Sequence, residues 1–105
     1  MNFTYPTTLV LHALANGIRH GFDVIDATGL ASGTVYPILR RLERETLVWA
    51  QWEDAAIAHE EQRPPRRYYE LTPAGKAVLE TAVVRYPVPR AITSRARRLR
   101  PARSS

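Results

Sequence analysis

The most regular pattern of apolar and polar positions in the chain lies between residues 33 and 45. The apolar positions follow the i, i+3, i+4, i+7 spacing of one buried helix face: Val35, Ile38, Leu39 and Leu42. Ser32 stands where a helix N-cap belongs, so the pattern predicts a helix over Gly33–Glu45. The other face is small, polar or basic and consists of Gly33, Pro37, Arg40 and Arg44, flanked by Tyr36 and Arg41. One side of this helix therefore packs on a core, and the other is left for solvent or a ligand.

Two shorter helices are predicted before it. Thr7 and Thr8 precede a first apolar run that stops at Asn16-Gly17, as a capped helix does. The apolar residues of this run cover more than one stripe, which indicates burial on two sides, by the core and by a partner chain. The second helix fits Gly21–Thr28, with Phe22 and Ile25 three residues apart and Gly29 as its stop.

A hairpin and a last helix follow. Val48–Glu53 and Arg67–Leu71 are short, aromatic and β-branched, which is typical of strands. Residues 55–65 between them are expected to form a long loop. Thr72 then caps a helix that begins at Pro73, and Pro87 and Pro89 end that helix.

The order of elements defines the predicted fold. Two helices joined by a tight turn, followed by a hairpin, predict a mainly α winged helix-turn-helix domain with a small β-hairpin wing. We expect this DNA-binding domain, with terminal dimerisation helices, to occupy residues 1–86. Residues 87–105 are rich in arginine and proline and contain no acid, so we expect a disordered tail.

Charge is divided unevenly along the chain. The formal net charge is +5, yet residues 1–84 hold 8 Lys/Arg against 10 Asp/Glu. Residues 85–105 hold 7 arginines and no acid. The basic character therefore belongs to the C-terminal segment, which suits a polyanionic partner such as nucleic acid.

Several classes of protein are disfavoured by composition. There is no cysteine, so disulfides, thiolate metal sites and Cys nucleophiles are excluded. No apolar run approaches the roughly 18 residues of a membrane span, and we find no secretory signal, so a cytoplasmic protein is expected. The three histidines share no metal-ligand spacing, and no catalytic constellation stands out. We expect a protein without metal, cofactor or enzymatic activity.

Three motifs in register resemble one family of bacterial regulators. They are His20-Gly21-Phe22, residues 32–43 (SGTVYPILRRLE) and residues 64–75 (PPRRYYELTPAG). Their order and gaps are similar to those of PadR-family transcriptional regulators over residues 9–84. The resemblance implies a homodimeric winged-helix repressor that binds double-stranded DNA with its third helix in the major groove and its hairpin on the flanking backbone.

The residues that this resemblance assigns to DNA lie in two places. The third helix offers hydroxyls and free N–H groups at its start, and basic side chains further along. Arginines near the base of the hairpin are placed for phosphate or minor-groove contact. The expected DNA-binding residues are Ser32, Thr34, Tyr36, Pro37, Arg40, Arg41, Arg44, Arg63, Arg66 and Arg67.

Two departures from the family pattern change the expectations. Thr46 stands where the family has the glycine that ends the third helix, and a β-branched residue disfavours the left-handed conformation, so we expect a different helix exit. Some family members bind flat aromatic ligands through tryptophans on the C-terminal helix. This chain has none there; Trp49 and Trp52 lie in the first strand, on opposite faces, so that one of them is available to a dimer or a ligand. Whether a small-molecule effector exists stays open.

The same reasoning predicts a homodimer. The apolar surface of the first and last helices is wider than a lone core of this size covers, and we assign dimerisation to Leu9, Val10, Leu14, Val78, Leu79 and Val83. Two other functions remain as alternatives. One is a winged-helix module that binds a protein partner, and the other is a nonspecific nucleic-acid binder that uses the basic tail.

Overall fold

A computed structural model describes residues 3–88, in which five helices and two strands follow one another. They are α1 Tyr5–Ala15, α2 Gly21–Thr28, α3 Ser32–Arg44, β1 Val48–Trp52, α4 Ala55–Glu60, β2 Arg67–Leu71 and α5 Pro73–Arg85. The predicted order of three helices, a hairpin and a last helix is confirmed, with α4 as an addition. The tail was predicted to be disordered, and its residues from position 89 on lie outside the described part of the chain.

The core lies between the first three helices and the inner face of the hairpin. The predicted apolar face of α3 is confirmed, since Val35, Leu39 and Leu42 are fully buried and Ile38 packs against them. They meet apolar side chains of α1 and of the strands, among them Val10, Leu11, Leu14, Val48 and Leu71. Because α3 packs on the core through this face, its opposite face is free of the core.

Helix α1 begins earlier than predicted. Its N-cap is Thr4, whose hydroxyl accepts from the Thr7 N–H at 3.4 Å, while Thr7 and Thr8 are buried inside the helix. The expectation that one chain cannot cover this helix is also wrong. Three of the residues assigned to dimerisation are buried within the chain itself, at exposures of 6% or less: Leu9, Val10 and Leu14.

Helix α2 has the predicted bounds, and its stop residue Gly29 adopts a left-handed conformation with φ 74°. Its predicted apolar face is only half right. Val24 and Ala27 are buried and Ile25 is partly buried, whereas Phe22 is 75% exposed. The core-facing side of α2 is thus rotated away from Phe22, which is left on the surface.

The hairpin pairs β1 with β2 in antiparallel register from Val48↔Leu71 to Trp52↔Arg67. Its connection is not the plain loop that was predicted. Residues Ala55–Glu60 form α4, which begins at Asp54, whose side chain accepts from the Ala56 N–H at 2.8 Å. Both tryptophans of β1 are exposed, Trp49 at 59% and Trp52 at 65%. Neither belongs to the core.

The start of α5 is pinned against the turn that leaves α3. Thr72 caps the helix as predicted, accepting from the Gly75 N–H at 3.0 Å and donating to the Thr46 carbonyl at 2.8 Å. A side chain at Gly75 would collide with the Leu47 carbonyl, so only glycine allows this close approach. Helix α5 ends at Arg85, and its cap residue Tyr86 lies with its ring 6.2 Å from that of Tyr5 on α1.

Thr46 corrects the prediction about the end of α3. It adopts a left-handed conformation with φ 57°, the one that glycine favours, despite its β-branched side chain. Three hydrogen bonds hold the backbone around it. The Thr46 N–H donates to the Glu43 carbonyl, and the Leu47 N–H donates to the Leu42 carbonyl. The Thr72 hydroxyl donates to the Thr46 carbonyl. Helix α3 therefore ends with the left-handed residue that is usual for glycine, and Thr46 adopts this conformation at an energetic cost.

Replacing this threonine by glycine removes that cost. We expect Thr46→Gly to raise the free energy of unfolding by about 0.5–1 kcal/mol, since the left-handed penalty of about 1–2 kcal/mol exceeds glycine's extra loss of backbone entropy. Thr46→Ala is the matched control, because alanine keeps the left-handed penalty. Chemical denaturation that ranked the alanine variant equal to the glycine variant would contradict this account.

Candidate nucleic-acid interface

The free face of α3 is the first part of the site. Gly33, Tyr36, Pro37, Arg40 and Arg44 are all exposed and lie within a narrow arc of the helix. The two arginines have no ion-pair partner among residues 3–88. A helix that is anchored by one face and offers unpaired cations on the other is suited to a groove of DNA.

The N-terminus of α3 starts one residue earlier than predicted. The N-cap is Ala31, so Ser32 is the first residue of the helix and does not cap it; no side chain caps this end. Ser32 is exposed and Thr34 is half-buried. The uncapped N–H groups and the positive end of the helix dipole leave a local preference for an anion such as a phosphate.

Arg41 lies apart from the two exposed arginines of α3. It is half-buried in the seam between α3 and α1, where its Nη2 donates to Thr7 Oγ1 at 3.1 Å. Its Nε is buried without a hydrogen-bond partner among the described residues. Arg41 therefore packs back onto α1 and is not presented with Arg40 and Arg44.

Arg63 is withdrawn from the surface in a similar way. Its guanidinium forms a two-pronged ion pair with Glu53, at 2.5 Å for Nη1–Oε1 and 2.8 Å for Nη2–Oε2, and its Nε donates to Glu61. The Glu53 side chain is only 4% exposed and also accepts from the Tyr68 hydroxyl at 3.0 Å. Arg63 thus neutralises a buried carboxylate, and its expected role as a DNA ligand is not supported by this arrangement.

The other two hairpin arginines differ from each other. Arg67 Nη2 pairs with Glu43 Oε1 of α3 at 2.8 Å, and its guanidinium carbon lies 5.0 Å from the centroid of the Trp52 ring. Arg66 is exposed, and its side chain has no partner among the described residues. Arg66 is therefore the one of the three whose charge is available to a ligand.

Arg66 and α3 meet at a cleft of about 290 Å³ beside the free face of the helix. It is lined by His20, Gly21, Phe22, Asp23, Tyr36, Arg66, Arg67 and Tyr69. The Tyr36 ring lies against Gly21, where a Cβ would come within 2.5 Å of Tyr36 Cε1, so the glycine of the first motif makes room for it. Burial lowers the pKa of His20, whose ring makes a tilted contact with that of Tyr68 at a centroid distance of 4.5 Å. The cleft brings the three motifs of the sequence into one surface.

Sequence reasoning missed two residues of this surface. Phe22 was noted for its helical spacing with Ile25, but it stands exposed and lines the cleft. Glu53 was counted only as the end of a strand, although it organises the whole connection of the hairpin. The sequence held one signal for this role. Glu53 is an acid that stands next to Asp54, the N-cap of α4, and ten residues before Arg63.

The Glu53 ion pair predicts an acid-sensitive hairpin. The hydrogen bonds from Arg63, and then those from Tyr68 and the Arg66 N–H, lower the pKa of Glu53 from 4.5 to about 2. A carboxyl whose pKa is lower in the folded state adds stability above its unfolded pKa and loses it as the pH falls toward the folded value. We expect stability to decline between about pH 4.5 and pH 2, more steeply than in Glu53→Gln. Equal pH profiles of unfolding, followed by tryptophan fluorescence, would contradict this.

Other features of the described residues point to no further chemistry. Among residues 3–88, no group of three His, Asp or Glu side chains could hold a metal ion. A second groove of about 430 Å³, lined by Arg19, Trp49, Gln51, Tyr68, Tyr69 and Glu70, lies mainly on the outer face of the hairpin. None of the described helices is long and apolar enough to cross a membrane.

Comparison with known proteins decides the family. The model of the transcriptional regulator PadR-like family matches residues 10–81, which include all three motifs. The chain belongs to the PadR-like family of transcriptional regulators. Members of this family are regulators of transcription, which implies regulation through DNA binding.

Solved structures of PadR-like proteins share the fold. A PadR-like transcription factor from Bacteroides fragilis is 26% identical, with a TM-score of 0.64 over 76% of this chain and 78% of that one. A PadR family regulator from Clostridium difficile R20291 has a TM-score of 0.67 at 24% identity, over 79% of this chain and 88% of that one. A PadR family regulator from Eggerthella lenta DSM 2243 has a TM-score of 0.58 at 26% identity, over 75% of this chain and 71% of that one. No curated protein is significantly similar to the chain.

Proposed function

We propose that this PadR-like protein is a repressor that binds a palindromic operator as a homodimer, with α3 in the major groove. The observation that carries the proposal is the free face of α3, on which Tyr36, Arg40 and Arg44 are exposed and the arginines are unpaired within the described residues. Side chains of this kind on a helix read base edges or hold phosphates. We place the activity in the cytoplasm, where bacterial DNA lies.

The backbone contacts in this proposal come from beside the helix. The exposed Arg66 and the uncapped start of α3 offer positive charge to phosphates, and Ser32 and Thr34 offer hydroxyls near that start. Arg41, Arg63 and Arg67 support the surface from behind, through Thr7, Glu53 and Glu43. The proposal thus uses fewer arginines than the sequence alone assigned.

The dimer is now proposed through α5. Leu9, Val10 and Leu14 are buried within the chain and are not available, whereas Val84 of α5 is 82% exposed and Val83 is half-buried beside it. Val78 and Leu79 are partly buried against the core, which leaves part of each side chain for a partner. In a two-fold dimer built on this face, we expect the two copies of α3 to reach half-sites about 34 Å apart, one turn of DNA.

Footprinting on the DNA upstream of the chain's own coding sequence tests the function. A protected pair of inverted half-sites, with light scattering that returns a dimer at micromolar concentration, is the expected result. Uniform protection of every sequence would indicate a nonspecific nucleic-acid binder. No binding even at low salt would indicate a protein-interaction module, and a monomer in solution would overturn the dimer.

A further inference from the structure

The connection of the hairpin is organised around one buried acid. Glu53 is 8% exposed as a residue, and its two carboxylate oxygens accept hydrogen bonds from Arg63, from the Tyr68 hydroxyl and from the Arg66 N–H. All of these donors lie 10 to 15 residues away in sequence, on the returning side of the hairpin. A single side chain therefore closes the long connection that carries α4.

One of these side-chain contacts and one main-chain hydrogen bond of Glu53 act directly on the backbone of Arg66. The Glu53 N–H donates to the Arg66 carbonyl at 2.7 Å, and Glu53 Oε1 accepts from the Arg66 N–H at 3.3 Å. Residue 66 is thus held from both sides by residue 53, while its own side chain is left exposed. The same carboxylate binds the guanidinium of Arg63 and removes that charge from the surface.

The position of Arg66 relates this cluster to α3. Arg66 lines the same cleft as Tyr36, which lies on the free face of the helix. The point where the hairpin holds Arg66 therefore determines where its charge stands with respect to α3. A buried ion pair adds little stability over well-packed apolar side chains, because desolvation offsets its attraction. Its value here lies in the geometry that it imposes.

We propose that Glu53 is a positioning residue for DNA binding, which presents Arg66 to a phosphate beside the groove that α3 occupies. The inference rests on the proposed function and deepens it. The expected effect of removing this negative charge is the opposite of the usual one. Removing an acid from a DNA-binding protein ordinarily strengthens binding to a polyanion, whereas here the loss of Glu53 weakens it because Arg66 is no longer held in place.

The test is a double-mutant cycle on the full-length chain. Affinity for a random-sequence duplex of about 30 base pairs, roughly three helical turns, is measured as a function of salt for the parent, Glu53→Gln, Arg66→Ala and the double variant. One lost phosphate contact flattens the slope of log affinity against log salt by about 0.9 and weakens binding several-fold near physiological salt. We expect each single variant to show this loss and the double variant to show no more than one of them.

Arg63→Lys and Tyr68→Phe extend the test to milder changes. Lysine keeps the charge but cannot form the two-pronged pair, so we expect part of the Glu53→Gln effect at unchanged net charge. Tyr68→Phe removes one donor to Glu53 without changing the ring. It replaces Glu53→Gln in the test if that variant does not fold.

The outcomes separate this inference from the proposed function. Tighter DNA binding by Glu53→Gln, or additive losses in the double variant, would overturn the positioning role while leaving DNA binding by the hairpin intact. If Arg66→Ala changes neither affinity nor slope, Arg66 holds no phosphate and the positioning role is wrong. Absence of DNA binding by the parent chain would instead contradict the proposed function itself.

Discussion

Arg40→Ala and Tyr36→Ala are each expected to weaken operator binding at least about ten-fold, with no loss of the folded state in Arg40→Ala. Both side chains lie on the free face of α3, and a base contact made through two hydrogen bonds is worth about 1–3 kcal/mol. Arg40 has no partner within the described residues, so its removal breaks no internal contact. The measurement is an operator titration beside a thermal unfolding curve for each variant.

Two controls sharpen this prediction. Arg19→Ala removes the same charge from an exposed arginine that lines the outer groove of the hairpin, and it should change operator affinity far less. Tyr36→Phe keeps the ring that lies against Gly21 and removes only the hydroxyl, which separates packing from hydrogen bonding. Parent-like operator affinity in both alanine variants would mean that another face of the protein meets the groove.

Truncation after Tyr86 is expected to weaken binding to operator and to random DNA by similar factors, about ten-fold or more. Residues 87–105 carry six arginines and no acid, while residues 1–84 have more acids than bases. Each phosphate neutralised contributes about −0.9 to the salt slope. Engagement of two or three arginines therefore makes the slope of the truncated protein shallower by roughly 2–3 units.

The last described residues of the chain lie against α1. The Tyr86 ring contacts Tyr5 at the start of α1, and Thr7 on the same helix contacts Arg41 of α3. The end of α5 therefore lies beside α1, whose contact with α3 through Arg41 is on the packed side of that helix. If the truncated protein lost its preference for operator over random DNA, or dissociated into monomers, the tail would have a structural role and this assignment would be wrong.

Local signals in the sequence were sufficient for most elements. The bounds of α2, the apolar face of α3, the strand β2 and the Thr72 cap depend on residues within one or two turns of each other, and all are confirmed. Periodicity and capping act over that range. The start of α1 was misplaced because Thr7 and Thr8 stand directly before the apolar run, and only the structure shows that Thr4 is the cap.

The site itself was harder to predict because its charges are paired through space. Sequence shows three arginines near the hairpin base, but it does not show that Glu53 binds Arg63 or that Glu43 binds Arg67. These pairs join residues 10 and 24 positions apart. The left-handed Thr46 was mispredicted for a similar reason, since the hydrogen bond that holds its carbonyl comes from Thr72.

The Glu43–Arg67 pair has a consequence for the thermodynamics of recognition. It joins α3 to β2, and the guanidinium of Arg67 also lies over the ring of its cross-strand partner Trp52 within the hairpin. If the proposed function is right, we expect helix and hairpin to meet DNA as one unit, without rearrangement. The heat-capacity decrease on binding by this part of the protein should then match the apolar area of the interface alone, without the larger decrease that accompanies coupled folding.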